Sequence, residues 1–403
     1  MRTGVGYSEN PDTREGGREA VKSALAQARQ RAPCDFVLLF ATATHDPRQL
    51  RKAVADHVGK AVPIFGGGAA GIITLDRFGY AGDQIGLAAF WLDRTTCDIL
   101  VEDGLVEDEQ KAGQRLGERL ARLDVTEKSP VLLFYDAIHT TAGNHLRLIM
   151  ATYLLEGIER GLGFLPDLVG AGLQGDHAWT ATAQWTGTGI SPHQAIAMAF
   201  GGDIRMDSVI VHGCRPATGY YTVTRADQQT LLEINGKPAL SFLDGLLGPD
   251  ISPEDYPFFL ILGVNQGDKW SPFNENSYAN RLCMAIDRER GGIVMFEPDM
   301  VAGTQFQIMY RTLLPDYVEP RIKRLFSGLN GRKPVFSLYI NCAGRAAGYS
   351  GTDLEDAVAV QKAIAGRVPL LGIYSGVEIA AVEGRPRSLD WTGVFCLFSV
   401  PEK

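Results

Sequence analysis

Two polar clusters near the carboxyl end of the chain carry residue types suited to binding or converting a small molecule. Residues 341–345 (Asn-Cys-Ala-Gly-Arg) end one apolar run, and residues 374–378 (Tyr-Ser-Gly-Val-Glu) follow the glycine turn of the next. Equivalent strand ends of an α/β sheet lie side by side, so Arg345 and Glu378 are expected to face one crevice. A guanidinium binds a carboxylate and a carboxylate binds an ammonium, which suits a small zwitterion or polar acid. A structural ion pair between the two side chains is the alternative.

An enzyme is the second interpretation of the polar residues, a hydrolase or lyase acting on a small carbonyl or cyclic compound. Cys342 is its candidate nucleophile, although no histidine lies near it in the sequence to activate the thiol. Asp176 and His177 follow a glycine-rich turn and, with Glu378, are the candidate acid/base groups. Capping of that turn is the alternative role of Asp176 and His177, and a buried, inert thiol is the alternative for Cys342.

The remaining histidines, carboxylates and glycines give weaker signals. Asp136 and His139 follow the apolar run 131–135 and have two interpretations, acid/base groups or a capped turn. The seven histidines contain no H-x-x-x-H pair and none neighbours a cysteine at metal-ligand spacing, so no metal site is predicted. Residues 66–71 match the G-x-G-x-x-G dinucleotide fingerprint, but the residues after them predict a strand instead of the helix that would hold a pyrophosphate. No cofactor is therefore predicted.

The overall composition limits the classes of partner. Lysine and arginine number 39 against 47 aspartates and glutamates, a formal net charge of −8. Nucleic acid is not an expected partner, because its binding needs a dense basic stripe. No run approaches the roughly 18 apolar residues of a membrane helix, and the amino terminus lacks the apolar segment of a signal peptide. A cytoplasmic location without membrane contact is expected, with the six scattered cysteines as reduced thiols.

Three segments that position the polar clusters share one plan: an apolar run, a helical pattern, an apolar run ending in glycine, and a third apolar run. They cover residues 37–91, 131–200 and 335–400, with the helical patterns near 48–57, 146–160 and 354–365. Apolar runs without alternation predict strands buried on both faces. The sequence therefore predicts an α/β fold (α+β mixed sheets) built from repeated βαββ modules. A weakly patterned, Gly/Pro-rich stretch separates an N-terminal domain, 1–225, with two modules from a C-terminal domain, 226–403, with one.

The glycine turns and strand ends resemble those of a known family. The segments similar to the FIST N domain are 4–8, 37–41, 62–67 and 170–176. The segments similar to the FIST C domain are 342–345 (Cys-x-Gly-Arg), 369–374, Glu378 and 391–392 (Trp-Thr). The resemblance covers nearly the whole chain. It implies an intracellular sensory module that binds small molecules, amino acids among them, and that often lies beside signalling domains.

Three turns depart from the pattern of that family. Val377 stands where a glycine usually precedes the glutamate, Leu389-Asp390 replaces a His-Asn pair, and Gly67-Gly68 followed by two alanines replaces a Ser/Thr-containing turn. Altered turns imply an altered pocket. The two FIST-like halves use all 403 residues, so a signalling partner in trans is expected, and a homo-oligomer stays open.

The leading hypothesis is a small-molecule-binding protein of the sensory type, with an amino acid or a small carboxylate as ligand. Glycines at the turns let backbone N–H groups approach a ligand closely. The predicted ligand-binding residues are Arg345, Glu378, Tyr374, Asp390, Gly67, Gly68 and Gly172. The catalytic residues of the enzyme alternative are Cys342, Glu378, Asp176 and His177. Under the leading hypothesis, Arg345→Ala is expected to abolish ligand-induced stabilisation.

Overall fold

The structure of the chain, a computed structural model, describes residues 1–140, 146–257 and 259–402. Its helices are α1 (Thr13–Ala28), α2 (Pro47–Val58), α3 (Glu109–Leu120), α4 (Ala151–Leu162), α5 (Ala239–Leu247), α6 (Val318–Ser327), α7 (Ala347–Ser350) and α8 (Asp356–Ile364). Helices α1, α2 and α3 each begin after an aspartate whose side chain accepts hydrogen bonds from the first turn, namely Asp12, Asp46 and Asp108. Such N-caps explain why these three helices start where they do.

The strands supply most of the framework. In chain order they are β1 (Arg2–Ser8), β2 (Phe36–Ala41), β3 (Ile64–Gly68), β4 (Gly71–Thr74), β5 (Phe78–Gly79), β6 (Ile85–Trp91), β7 (Thr96–Glu102), β8 (Pro130–Asp136), β9 (Ile138–Thr140), β10 (Leu146–Leu148), β11 (Asp167–Leu173), β12 (Gln184–Gly187), β13 (Ile190–Ser191), β14 (Ala195–Gly201), β15 (Arg205–Val211), β16 (Cys214–Pro216), β17 (Tyr221–Asp227), β18 (Thr230–Ile234), β19 (Lys237–Pro238), β20 (Ile261–Asn265), β21 (Tyr278–Asp287), β22 (Gly292–Met295), β23 (Gln305–Arg311), β24 (Arg332–Cys342), β25 (Leu370–Ser375), β26 (Val377–Val382), β27 (Arg385–Leu389) and β28 (Gly393–Pro401). Strands β2, β6 and β8 are buried along their whole length, as continuous apolar runs predict.

Three six-stranded mixed sheets contain most of these strands. Their strand orders are β1-β6-β2-β3-β12-β13, β27-β26-β11-β8-β14-β7 and β15-β28-β24-β25-β4-β5. Each sheet has a parallel pair joined through a helix (β2/β3, β8/β11 and β24/β25) and a later strand antiparallel to the first of the pair (β6, β14 and β28). The predicted mixed α/β class is confirmed. The origin of the three arrangements as copies of one βαββ module stays a prediction.

The inner faces of the three sheets share one hydrophobic core. Phe40 of β2 contacts Phe134 of β8 with ring centroids 5.2 Å apart, and Phe90 of β6 contacts Phe336 of β24 at 5.0 Å. All four rings are fully buried, and each contact joins two different sheets. An eight-stranded sheet, β16-β23-β17-β18-β22-β21-β20 with β19 paired to β18, packs with α5 around a second cluster.

Strand pairing crosses the predicted boundary at residue 225. Strand β4 pairs with β25, β15 with β28, and β11 with β26. The strand predicted after the glycine turn 66–71 is therefore present as β4, and it extends a sheet. The carbonyl of Gly172 accepts a hydrogen bond from the amide of Gly376 at 2.9 Å. These pairings bring the turn after β11 beside the ends of β24 and β25, whereas the division into domains 1–225 and 226–403 stays a prediction.

Helices α3 and α4 pack closely through glycines. A Cβ on Gly157 would collide with the backbone oxygen of Gln110, and a Cβ on Gly113 with that of Leu154. Helix backbone atoms cannot move aside as the end of a flexible side chain does. We expect Gly157→Ala to lower the free energy of unfolding, measured in urea, by about 1–3 kcal/mol in spite of the higher helix propensity of alanine.

Gly245 in α5 is the matched control for this substitution, because a Cβ there meets no atom of the described residues within 4 Å. Gly245→Ala is expected to raise the free energy of unfolding by about 0.5–1 kcal/mol through helix propensity alone. Equal effects of the two substitutions would contradict the close packing of α3 on α4.

Candidate functional site

A cleft of about 450 Å³ opens at the carboxyl ends of the parallel strands β24 and β25. Carboxyl ends of parallel strands are the common place of ligand sites in α/β sheets. The turn after β11 forms one wall, the segment from the end of β24 through α7 forms another, and β21, β23 and the loop between β27 and β28 also contribute. The lining residues are Gln174, His177, Trp179, Leu282, Phe296, Arg311, Cys342, Ala343, Gly344, Tyr349, Ser350, Gly351, Ser375, Gly376, Asp390 and Trp391.

The cleft brings together part of the predicted site. His177, Cys342 and Asp390 line it. Glu378 lies fully buried behind Ser375, whose hydroxyl donates a hydrogen bond to its carboxyl group at 2.9 Å. The predicted pairing of the two strand ends therefore holds for Cys342 and Ser375, which are register partners in the parallel pair β24/β25.

Two of these carboxyl groups have raised pKa values. Burial raises the pKa of Glu378 well above its ordinary value, and the charge of the nearby Asp390 raises it further. Burial also raises the pKa of Asp390 to about 6, against the opposing effect of the Arg281 guanidinium. Oδ2 of Asp390 accepts a hydrogen bond from the amide of Leu282 at 2.8 Å. At neutral pH the cleft therefore presents a negative charge at Asp390 above a carboxyl group, Glu378, that favours its neutral form.

Arg345 belongs to a separate buried cluster. Its guanidinium forms an ion pair with Asp356 and donates to the Tyr317 hydroxyl at 2.8 Å and the His212 carbonyl at 2.9 Å. It lines a different pocket, of about 40 Å³. The expectation that Arg345 and Glu378 face one crevice is corrected by this geometry, because the start of α8 places Asp356 against the guanidinium.

The aromatic wall of the cleft is formed by stacked rings. The imidazole of His177 lies flat on the Tyr349 ring, with centroids 3.8 Å apart, and its Nε2 lies 3.1 Å from the carbonyl oxygen of Ala343. Burial lowers the pKa of His177, so the ring is neutral at pH 7 and donates through Nε2. Tyr374 is fully buried, outside the residues that line the cleft, where its hydroxyl donates to Glu355 at 2.8 Å.

The predicted glycines pack protein against protein near the cleft. A Cβ on Gly68 would lie 2.5 Å from Oγ1 of Thr182, and a Cβ on Gly67 would meet the same hydroxyl at 3.2 Å. A Cβ on Gly172 would lie 2.8 Å from the buried hydroxyl of Tyr135. These three positions therefore need glycine for close internal approach, and none is among the residues that line the cleft.

The geometry around Cys342 and Asp176 does not favour an enzyme in this cleft. Burial and the neighbouring Glu378 raise the pKa of the Cys342 thiol, so the nucleophilic thiolate is disfavoured. Asp176 accepts hydrogen bonds from the amides of Ala178 at 2.8 Å and Thr180 at 3.0 Å. This is the bonding of a capped turn.

Two polar groups of the cleft escaped the sequence analysis. Arg311 ends β23, and its guanidinium lies over the Trp391 ring, 4.5 Å from the centroid. Among the residues described, it forms no ion pair with a carboxylate. Oε1 of Gln174, which also lines the cleft, is buried without a hydrogen-bond partner among the described residues. No glycine turn or polar cluster follows Arg311 in the sequence. The only feature that could have pointed to it is its place at the end of β23, a strand that was not predicted.

The described residues contain no group of three or more His, Cys, Asp or Glu side chains placed to hold a metal ion, and His145 lies outside them. Within the described ranges, no helix has both the length and the apolar character needed to cross a membrane.

A mixed α/β framework with a cleft at the ends of parallel strands is an architecture in which small ligands commonly bind. Comparison with known families agrees: residues 35–237 match the FIST N domain and residues 239–381 match the FIST C domain. The chain belongs to the FIST family, whose domains are of the sensory, small-ligand-binding type. The resemblance noted in the sequence is thereby confirmed.

Similar proteins occur in mycobacteria. An uncharacterized protein of Mycobacterium tuberculosis strain H37Rv is 28% identical over 196 residues, which cover 47% of this chain and 50% of that protein. An uncharacterized protein of Mycobacterium bovis is 26% identical over 194 residues, with the same coverage of the two chains. The chain spans about half the length of the curated relatives it matches.

Proposed function

We propose that the cleft binds a small carboxylate of the amino-acid type and that this binding is the sensory function of the chain. The observation that carries the proposal is Arg311, a cation that lines an aromatic cleft and forms no ion pair with any described carboxylate. Burial removes part of the hydration of its guanidinium and so lowers its pKa. A ligand carboxylate compensates that loss through two charge-assisted hydrogen bonds.

Two acceptors in the cleft suit a positively charged or N–H-bearing group on the same ligand. Asp390 carries a carboxylate whose Oδ2 is bonded to the Leu282 amide, so Oδ1 is the oxygen suited to a ligand. Because burial raises the Asp390 pKa to about 6, a bound ammonium would stabilise its charged form. Oε1 of Gln174 is a second buried acceptor. An amino acid carries the complementary acid and donor on one small molecule.

The dimensions and walls of the cleft set limits on the rest of the ligand. A volume of about 450 Å³ lies within the range of roughly 300–1,000 Å³ typical of small-molecule sites. The stacked His177 and Tyr349 rings and the indole of Trp391, which Arg311 partly covers, give the cleft apolar aromatic surfaces. Such surfaces favour a ligand with an apolar or aromatic side group next to its charged groups.

A comparison of acids with their esters tests the proposal directly. Calorimetric titration of the full chain with amino acids and keto acids is expected to yield binding by one or more free acids. The methyl ester of each binder is expected to bind at least about tenfold more weakly, because it lacks the charge that Arg311 recognises.

Equal binding of acid and ester would contradict the assignment of Arg311, and the absence of any binder in both classes would contradict the ligand class. Product analysis after incubation with each binder separates binding from turnover, since consumption of the ligand would support the enzyme alternative. The signalling partner in trans, the homo-oligomer and the cytoplasmic location stay predictions.

A further inference from the structure

A second cluster of titratable residues lies at the end of β8, outside the cleft. Asp136, the last residue of β8, is fully buried, and its Oδ2 accepts a hydrogen bond from the backbone amide of His193 at 3.1 Å. The same oxygen lies 3.0 Å from Nδ1 of His193. This is a close contact that lacks the geometry of a hydrogen bond. Nε2 of His193 lies 3.2 Å from Nδ1 of His139. A carboxylate and two imidazoles therefore form one chain of neighbouring polar groups.

The Asp136 carboxylate determines which ring nitrogens of His193 and His139 carry a proton. Asp136 beside Nδ1 of His193 favours a proton on that nitrogen, which leaves Nε2 of His193 as an acceptor. Nδ1 of His139 then donates to that acceptor. Nε2 of His139 keeps its lone pair, as in a general base oriented by a second group.

The two histidines line an open groove of about 610 Å³. The charged groups that face this groove are Asp103, Glu107, Asp108, Lys111 and Arg115. Lys111 pairs with Asp108 at 3.1 Å and Arg115 with Glu102 at 2.6 Å, so cations and carboxylates largely neutralise one another. The described residues that line the groove include no serine, threonine or cysteine, which leaves water as the nucleophile for a base to activate.

We propose that His139 is a general base for the hydrolysis of a small ester in this groove, with Asp136 and His193 as positioning residues. Nε2 of His139 takes a proton from a water molecule while the water oxygen forms a bond to the acyl carbon. The acyl C–O bond to the alcohol then breaks, and the leaving oxygen takes that proton from His139. One ester and one water give one carboxylic acid and one alcohol. Asp136 stabilises the transient positive charge through His193.

Hydrolysis of 4-nitrophenyl acetate by the full chain, followed through the absorbance of 4-nitrophenolate, tests the proposal. His139→Gln is expected to lose about 10²-fold or more of the rate above buffer. His57→Gln is the matched control, because His57 is an exposed histidine on α2 and is expected to keep the wild-type rate. A wild-type rate no higher than that of equimolar free imidazole, or an unchanged rate in His139→Gln, would overturn the proposal.

Nitrogen-15 NMR of the imidazoles gives a readout that does not depend on turnover or on the folding of a variant. In the wild-type chain we expect His139 in the tautomer protonated on Nδ1. Asp136→Asn is expected to shift this tautomer population and to lower kcat about tenfold or more with little change in KM. If His139 of the wild-type protein carries its proton on Nε2, the proposed series of contacts from Asp136 through His193 to His139 would be refuted. Carboxylate binding in the cleft is expected to be unaffected by His139→Gln, which separates this proposal from the proposed function.

Discussion

Arg345→Ala is expected to lower the free energy of unfolding by about 3–5 kcal/mol, because it leaves the Asp356 carboxylate buried without its cation. The Arg345 side chain is 4% exposed and also donates to Asn341 at 3.1 Å, to the Tyr317 hydroxyl at 2.8 Å and to the His212 carbonyl at 2.9 Å. The substitution removes the donor from all of these acceptors at once, and each unmade bond adds to the loss. Urea denaturation at neutral pH measures the effect.

Arg288→Ala is the matched control for the buried ion pair. Arg288 pairs with Glu254 on the surface, where the two side chains are 61% and 57% exposed, so its loss is expected to cost about 1 kcal/mol or less. The double variant Arg345→Ala/Asp356→Ala is expected to recover part of the loss, because the isolated charge is then absent. A loss below about 1 kcal/mol in Arg345→Ala would mean that the Asp356 carboxylate finds another partner.

Arg311→Gln is expected to weaken the binding of a carboxylate ligand by roughly 10- to 150-fold, which corresponds to about 1.5–3 kcal/mol for hydrogen bonds to a charged group. Glutamine keeps a polar side chain beside Trp391 but removes the positive charge. The free energy of unfolding is expected to fall by less than about 1 kcal/mol, since the guanidinium has ring contacts and no ion pair among the described residues. Calorimetric titration and urea denaturation measure the two effects.

Arg215→Gln is the control for Arg311, because Arg215 is an exposed arginine that also lies over an aromatic ring, 5.7 Å from the centroid of Phe273. It does not line the cleft, and its substitution is expected to leave ligand affinity unchanged. Wild-type affinity in Arg311→Gln would assign the recognition of the carboxylate to another residue. The variants of Arg345 and Arg311 together separate a structural arginine from a ligand-binding one.

The strands and helices within residues 37–91, 131–200 and 335–400 were largely predictable, whereas the strands between residues 205 and 311 were not predicted, and one helix boundary was wrong for a physical reason. The helical pattern 48–57 corresponds to α2 (Pro47–Val58), which its own aspartate caps. The pattern 146–160 was wrong at its start, since α4 begins only at Ala151. The amides of Ala151 and Thr152 donate to the carboxylate of Glu297, which comes from a distant part of the chain. A helix start capped by a remote side chain has no local signal.

The sequence analysis named only part of the lining of the candidate cleft. Its glycine turns lie at the ends of β24 and β25, where the cleft opens, and Cys342, His177 and Asp390 line the cleft there. The cation was assigned to Arg345, because that arginine directly follows a predicted strand end. Arg311 reaches the same cleft from the eight-stranded sheet, whose position no local pattern reveals.

The sequence by itself determined the mixed α/β class, the strands buried on both faces in residues 37–91, 131–200 and 335–400, and the family, because burial on both faces and glycine turns act within a few residues of the chain. The tertiary structure alone decided which charges are paired. Arg345 and Arg311 both end or follow apolar strands, yet one is neutralised by Asp356 and the other lines a cleft among aromatic rings. Electrostatic interactions act through space and depend on local burial, so the partner of a charge is set by packing between distant segments.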